Sequence, residues 1–160
     1  MTSTGAPQPP DKDDVRKHLD FIQAVVTRMS AASSAAKGWL LPVITATYGY
    51  ALTKHAESVA LLGLLSVALF AFLDANYLRQ EQGYRALYDA VAKQTRRVPL
   101  FSLAIEDALD PTPAPTTRWG RAKARVQKWF PGLSVWCSWS IAPFYGLLVV
   151  VGVAVFCRAR

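Results

Sequence analysis

Acidic residues are scarce in this 160-residue chain, which has 11 Asp and Glu against 18 Lys and Arg and a formal net charge of +7. Charged residues of both signs make up only 18% of it, below the roughly 25% of ordinary soluble domains, while 52% is hydrophobic, which argues against disorder and weakens a soluble reading. Cysteine is nearly absent: Cys137 and Cys157 are too few for the disulfide framework of a small secreted scaffold. Phosphate loops, dinucleotide fingerprints, metal-ligand pairs and nucleophile elbows are missing too. The chain is therefore read as non-enzymatic, with no catalytic residue, cofactor, metal or small-molecule substrate to assign. Its length allows one domain.

Charge is missing most completely from Phe130 to Cys157, 28 residues without Asp, Glu, Lys or Arg. A helix needs about 20 apolar residues to cross the hydrocarbon core, so residues 131–157 read as a transmembrane helix. Two shorter charge-free runs, Gly38 to Thr53 and Ser58 to Leu73, have 16 residues each, about 24 Å of helix against a core of roughly 30 Å. Lys37 and Lys54 bracket the first run and can snorkel, and Trp39, Tyr48 and Tyr50 carry rings suited to headgroup depth. With Lys54, His55 and Glu57 as a tight polar connection, residues 37–78 read as a short transmembrane hairpin, spanning or re-entrant. Pro42 and Pro143 veto neither segment, because neighbouring helices can satisfy the carbonyls they free. The expected fold class is an all-α membrane protein: this hairpin, a third C-terminal transmembrane helix, and amphipathic helices on the cytoplasmic side.

A cleavable signal peptide is not expected, since Asp11, Lys12, Asp13, Asp14, Arg16, Lys17 and Asp20 leave no apolar core near the start. Residues 1–14 read as a disordered leader, with Pro7, Pro9 and Pro10 among small polar residues. Of the 18 Lys and Arg, five precede the first apolar run, one lies in the hairpin turn, ten fall between Arg79 and Lys128, and two follow the last span. Cytoplasmic segments collect Lys and Arg, so the N-terminus and the Arg79–Lys128 region are assigned inside and the C-terminus outside. His18 and His55 then fall on opposite sides, which excludes a metal site built on both. Topology accounts for the basic charge, and no module that reads DNA or RNA accompanies it, so no nucleic-acid partner is expected.

On the cytoplasmic side, Val15, Leu19, Ile22, Val26 and Met29 repeat at four, three, four and three. This is the stripe of an amphipathic helix over residues 15–36, suited either to self-association or to packing on its own chain. Residues 79–109 form a cytoplasmic helical region in which Tyr84, Leu87, Tyr88 and Val91 offer that stripe a partner. Pro111, Pro113 and Pro115 mark residues 110–117 as an extended linker. Beyond it, Trp119, Ala122, Val126 and Trp129 run beside Arg118, Arg121, Arg125 and Lys128, the pattern of a basic helix over 118–130 lying on anionic headgroups. Residues 158–160 are a tail.

Asp74 is the one acid abutting an apolar span, and ionisable residues at membrane depth have partners or a function. The hairpin returns it to the face that Lys37 entered, so a structural ion pair with Lys37, or with Arg28 if the preceding helix folds back, is expected; an ion or proton pathway is the alternative. Three blocks then carry a resemblance: His18-Leu19-Asp20-Phe21-Ile22-Gln23 running to Arg28-Met29, Lys37-Gly38-Trp39, and Phe72-Leu73-Asp74 through Tyr77-Leu78-Arg79-Gln80-Glu81. Together they resemble a widespread group of small bacterial multi-pass membrane proteins of unassigned biochemical function, over residues 15–93, with Phe144-Tyr145-Gly146 a weaker echo and the 110–117 linker without counterpart. The resemblance implies a bacterial inner-membrane protein and supplies no catalytic residue. The functional expectation is an oligomeric or partner-bound membrane component, either a pore-forming or membrane-perturbing effector of a defence or stress system, or a non-conducting scaffold that anchors a cytoplasmic partner.

Overall fold

The computed structural model describes residues 11–109, 117, 119 and 131–160, and among these every regular element is helical. Helix α1 runs unbroken from Lys12 to Lys54, with Asp13 and Asp14 in its first turn and Lys54 in its last, as the helix dipole favours. Two sequence boundaries are corrected by it. Residues 12–14, assigned to the leader, are helical, and one continuous helix carries both the segment read as an amphipathic helix to 36 and the first arm of the hairpin from 37. The reason is local: Ser30 to Ala36 is a run of Ser and Ala without Gly or Pro, which nothing obliges to break.

The chain reverses at His55, whose φ of 51° is the left-handed conformation that ends helices, and the Ala56 amide returns to the Ala51 carbonyl at 3.1 Å. Helix α2 then runs from Glu57 to Ala92 and ends the same way, with Gln94 at φ 49° and the Thr95 amide on the Ala90 carbonyl. The 79–109 region is thus helical only to Ala92, followed by a loop containing one short 3-10 turn, Ile105–Ala108.

Residues 131–160 correct the largest expectation. In place of one helix there is a single turn, α3 (Leu133–Trp136), a reversal through Cys137 to Ile141, and then α4 (Ala142–Ala159). Pro143 sits in the first turn of α4, where a missing amide costs nothing. Cys137 and Cys157 therefore do not share a helix, and both are free thiols.

The chain divides into two compact units. One takes residues 1–28 and 81–112; the other takes 29–80 and 113–160. In the first, Val15, Leu19, Ile22 and Val26 mark the covered side of α1, all buried or half-buried, and Leu87 and Ala90 are buried on α2; half-buried Met29, next on that stripe, opens the second unit. The 95–109 loop is fastened to this unit by several contacts: His18, 1% exposed, donates from Nε2 to the Ser102 carbonyl at 2.7 Å, the Phe101 ring lies against those of His18 and Phe21, and Ile105 lies where a side chain on Gly83 would stand. In the second unit the core consists of Leu40, Ile44, Tyr48 and Ala51 from α1, Ala60, Val67, Ala71 and Ala75 from α2, and Val135, Ile141, Tyr145 and Val155 from the C-terminal segment. Among the described residues two helices, α2 and α4, are long and apolar enough by length and composition to cross a membrane.

Candidate functional site

The site is the end of the second unit where three segments meet around Asp74, which is completely buried. Helix α2 supplies the carboxylate, and α1 faces it with Ser33 and Lys37, one turn apart and so on one side. Ser33 donates its hydroxyl to Asp74 Oδ1 in a short hydrogen bond. Lys37 Nζ stands 2.9 Å from Asp74 Oδ2, an ion pair without an aligned hydrogen bond, which leaves that oxygen with a charge partner but no donor of good geometry. The same ammonium donates to Ser140 Oγ at 3.0 Å and reaches Ser33 Oγ at 3.5 Å, so each of its three protons has an oxygen to face.

Ser140 lies in the turn before α4, so Lys37 bridges α2 and the α4 entry. Three residues past α4's first residue, Tyr145 directs its hydroxyl to the Phe70 carbonyl at 3.3 Å and lies beside the Asp74 carboxylate. Phe144 packs edge-on against the Tyr145 ring, at 5.0 Å between centroids. The result is a buried carboxylate neutralised by a part-exposed ammonium and flanked by hydroxyls, an arrangement that ties helices together.

A second junction lies farther along the same helices. Tyr48 of α1 inserts between Gly63 of α2 and Gly152 of α4, where any side chain would overlap its ring or hydroxyl, and its hydroxyl reaches the Leu148 carbonyl at 3.5 Å. Glycine is required at both positions because a ring occupies the space a Cβ would need. Nothing in the sequence spacing links residues 48, 63 and 152, and this junction escaped sequence reasoning altogether. Tyr145 and Ser140 were missed for the same reason.

Of the two cations expected opposite Asp74, Lys37 holds the position and Arg28 does not. Arg28 precedes Lys37 by nine residues on one continuous helix, about 13 Å of rise, and the fold-back that would have returned it is absent. Trp119 is exposed, whereas Arg118, Arg121, Arg125, Lys128 and Trp129 lie outside the described residues, as does the 110–116 stretch of the linker. Comparison with family models, with curated proteins and with solved structures found no match.

Proposed function

We infer that this chain is a non-catalytic, multi-pass protein of a bacterial inner membrane, in which α1, α2 and α4 cross the bilayer as a hairpin and a third helix. The observation that carries this reading is a shared apolar length. Seventeen residue steps separate Lys37 from Lys54 on α1 and Asp74 from Glu57 on α2, and α4 has 18 residues, so each helix offers about 26 Å between polar ends. Between those ends most outward side chains are apolar, as with Leu62, Leu65 and Leu69 on α2 and Leu147, Val150 and Val153 on α4, all exposed. A belt of that extent is far beyond what a soluble monomer leaves in water.

The same surface favours a non-conducting anchor over a pore. The hydroxyls of Thr45, Thr47, Thr53 and Ser66 turn back onto carbonyls of their own helices, and Asp74 and Lys37 neutralise each other, so among the described residues of these helices no charged stripe faces outward to line a water-filled channel. The role that fits is a membrane scaffold, holding its basic N-terminal and 79–128 segments on the cytoplasmic side for a protein partner or a second copy and for anionic lipid headgroups. A pore-forming or membrane-perturbing effector is the second reading, favoured by the buried carboxylate at the edge of the apolar stretch. Reconstitution separates them. The protein stays with vesicles after alkaline carbonate and passes no current across a planar bilayer at either polarity; unitary currents would restore the pore, and release into the carbonate supernatant would defeat the membrane reading.

A further inference from the structure

We propose that the Lys37–Asp74–Ser140 layer acts as a hydrophobic ruler that matches this protein to thin bilayers and thins thicker ones around it. The inference rests on the membrane reading above and adds the class of lipid that the protein takes. Lysines at the ends of membrane helices usually snorkel, which blurs the apolar boundary by the length of a side chain. Lys37 is held instead on the wholly buried Asp74 and on Ser140 at the surface, with about a fifth of its side chain (22%) exposed, so its ammonium stays at the level of that layer. One boundary of the belt is thereby fixed at the same level on all three segments.

Two tryptophans mark that level independently. Trp39 is 71% exposed two residues from Lys37, and Trp139 is 90% exposed next to Ser140, where indole rings belong at the headgroup boundary. At the opposite end the exposed Lys54 and Glu57 close α1 and open α2, and the exposed Arg158 lies in the last turn of α4. The enclosed length of about 26 Å falls about 4 Å short of an average hydrocarbon core, and any tilt enlarges the deficit. A thicker bilayer must then either compress at the protein or draw the layer into hydrocarbon, and the second course strips water from the part-exposed Lys37 ammonium and the exposed Ser140 hydroxyl.

The test is thermal unfolding of the full chain, followed by tryptophan emission, in vesicles of monounsaturated phosphatidylcholines with chains of fourteen to twenty-two carbons. The midpoint is highest at fourteen or sixteen carbons and falls steadily with longer chains. An optimum at eighteen or beyond, or no dependence, overturns the proposal while leaving the membrane reading intact. Extraction by carbonate from every vesicle would sink both, since the belt would then be covered by another copy of the protein in water. Replacing the ruler by Lys37→Leu with Asp74→Leu moves the optimum at least one chain-length step longer, and an unmoved optimum contradicts the role given to this layer. If that variant does not fold, the headgroup spacing of eighteen-carbon bilayers loaded with wild-type protein decides: it contracts if the proposal holds and stays constant if it does not.

Discussion

Asp74 is a charge that three helices were built around, and its energetics follow from how completely it is enclosed. Removing one partner of a buried pair leaves the other uncompensated, at a cost of about 3 kcal/mol, more than the pair itself contributes. Lys37→Met should therefore destabilise the protein by about 3 kcal/mol in detergent, and Asp74→Asn by about 2 kcal/mol because Lys37 is then free to reach water. The double variant should lose at least 1 kcal/mol less than the two single losses combined, which is the coupling a double-mutant cycle isolates. Arg28→Met in the Asp74→Asn background should be additive within about 0.5 kcal/mol. Thermal melts of the five variants, Arg28→Met alone included, check this, and simple additivity for Lys37 would show that the pair carries no coupling. Asp74 was legible in the sequence because a carboxylate beside an apolar run has few explanations, and Lys37 because a reversal of known position fixes what lies opposite. Ser33 and Ser140 were not legible, since a serine among small residues carries no signal until its neighbours are known.

Among the elements, α4 shows where composition stops being informative. A run of 28 residues without charge announces a span but does not say where helix begins inside it, and Pro143, read as lying within the span, stands in the first turn. The continuity of α1 was hidden for the converse reason: a shift from amphipathic to uniformly apolar sequence changes the environment of a helix without ending it. How α4 docks depends on Tyr48 entering the space left by Gly63 and Gly152. Gly152→Val places a side chain into the Tyr48 hydroxyl and Leu64, and should cost about 2 kcal/mol, as overpacking of a tight contact does. Tyr48→Ala alone also destabilises, yet it should recover part of the Gly152→Val loss when the two are combined, because the obstructing ring is gone. A cysteine pair placed across α2 and α4 gives a second reading, with crosslinking slower in Gly152→Val and restored in the double variant. Unchanged melting and crosslinking in Gly152→Val would mean that α4 is held by the Asp74 end alone.

At the scale of the whole molecule the decisive quantity is how the basic residues are divided by the crossings. With three crossings, 15 of the 18 Lys and Arg fall on the side of the N-terminus and the 79–128 segment, and Lys54, Arg158 and Arg160 fall on the other. Positive charge near short loops resists translocation, so under the proposed three crossings this division favours an inside N-terminus. The two arginines at the C-terminus oppose the last crossing, but α4 with its 18 apolar-rich residues is one of the two helices long and apolar enough to insert. The orientation is read by a membrane-impermeant maleimide on intact cells, in a background where Cys137 and Cys157 are serine. A Cys at position 160 should label from outside, and one at Thr95, exposed in the loop after α2, should label only after permeabilisation. Protection of both positions would mean that α4 does not cross and that the chain enters and leaves on one side. Labelling at Thr95 with protection at 160 would invert the protein, and would require the ten basic residues between Arg79 and Lys128 to have been translocated against the charge rule that orients it.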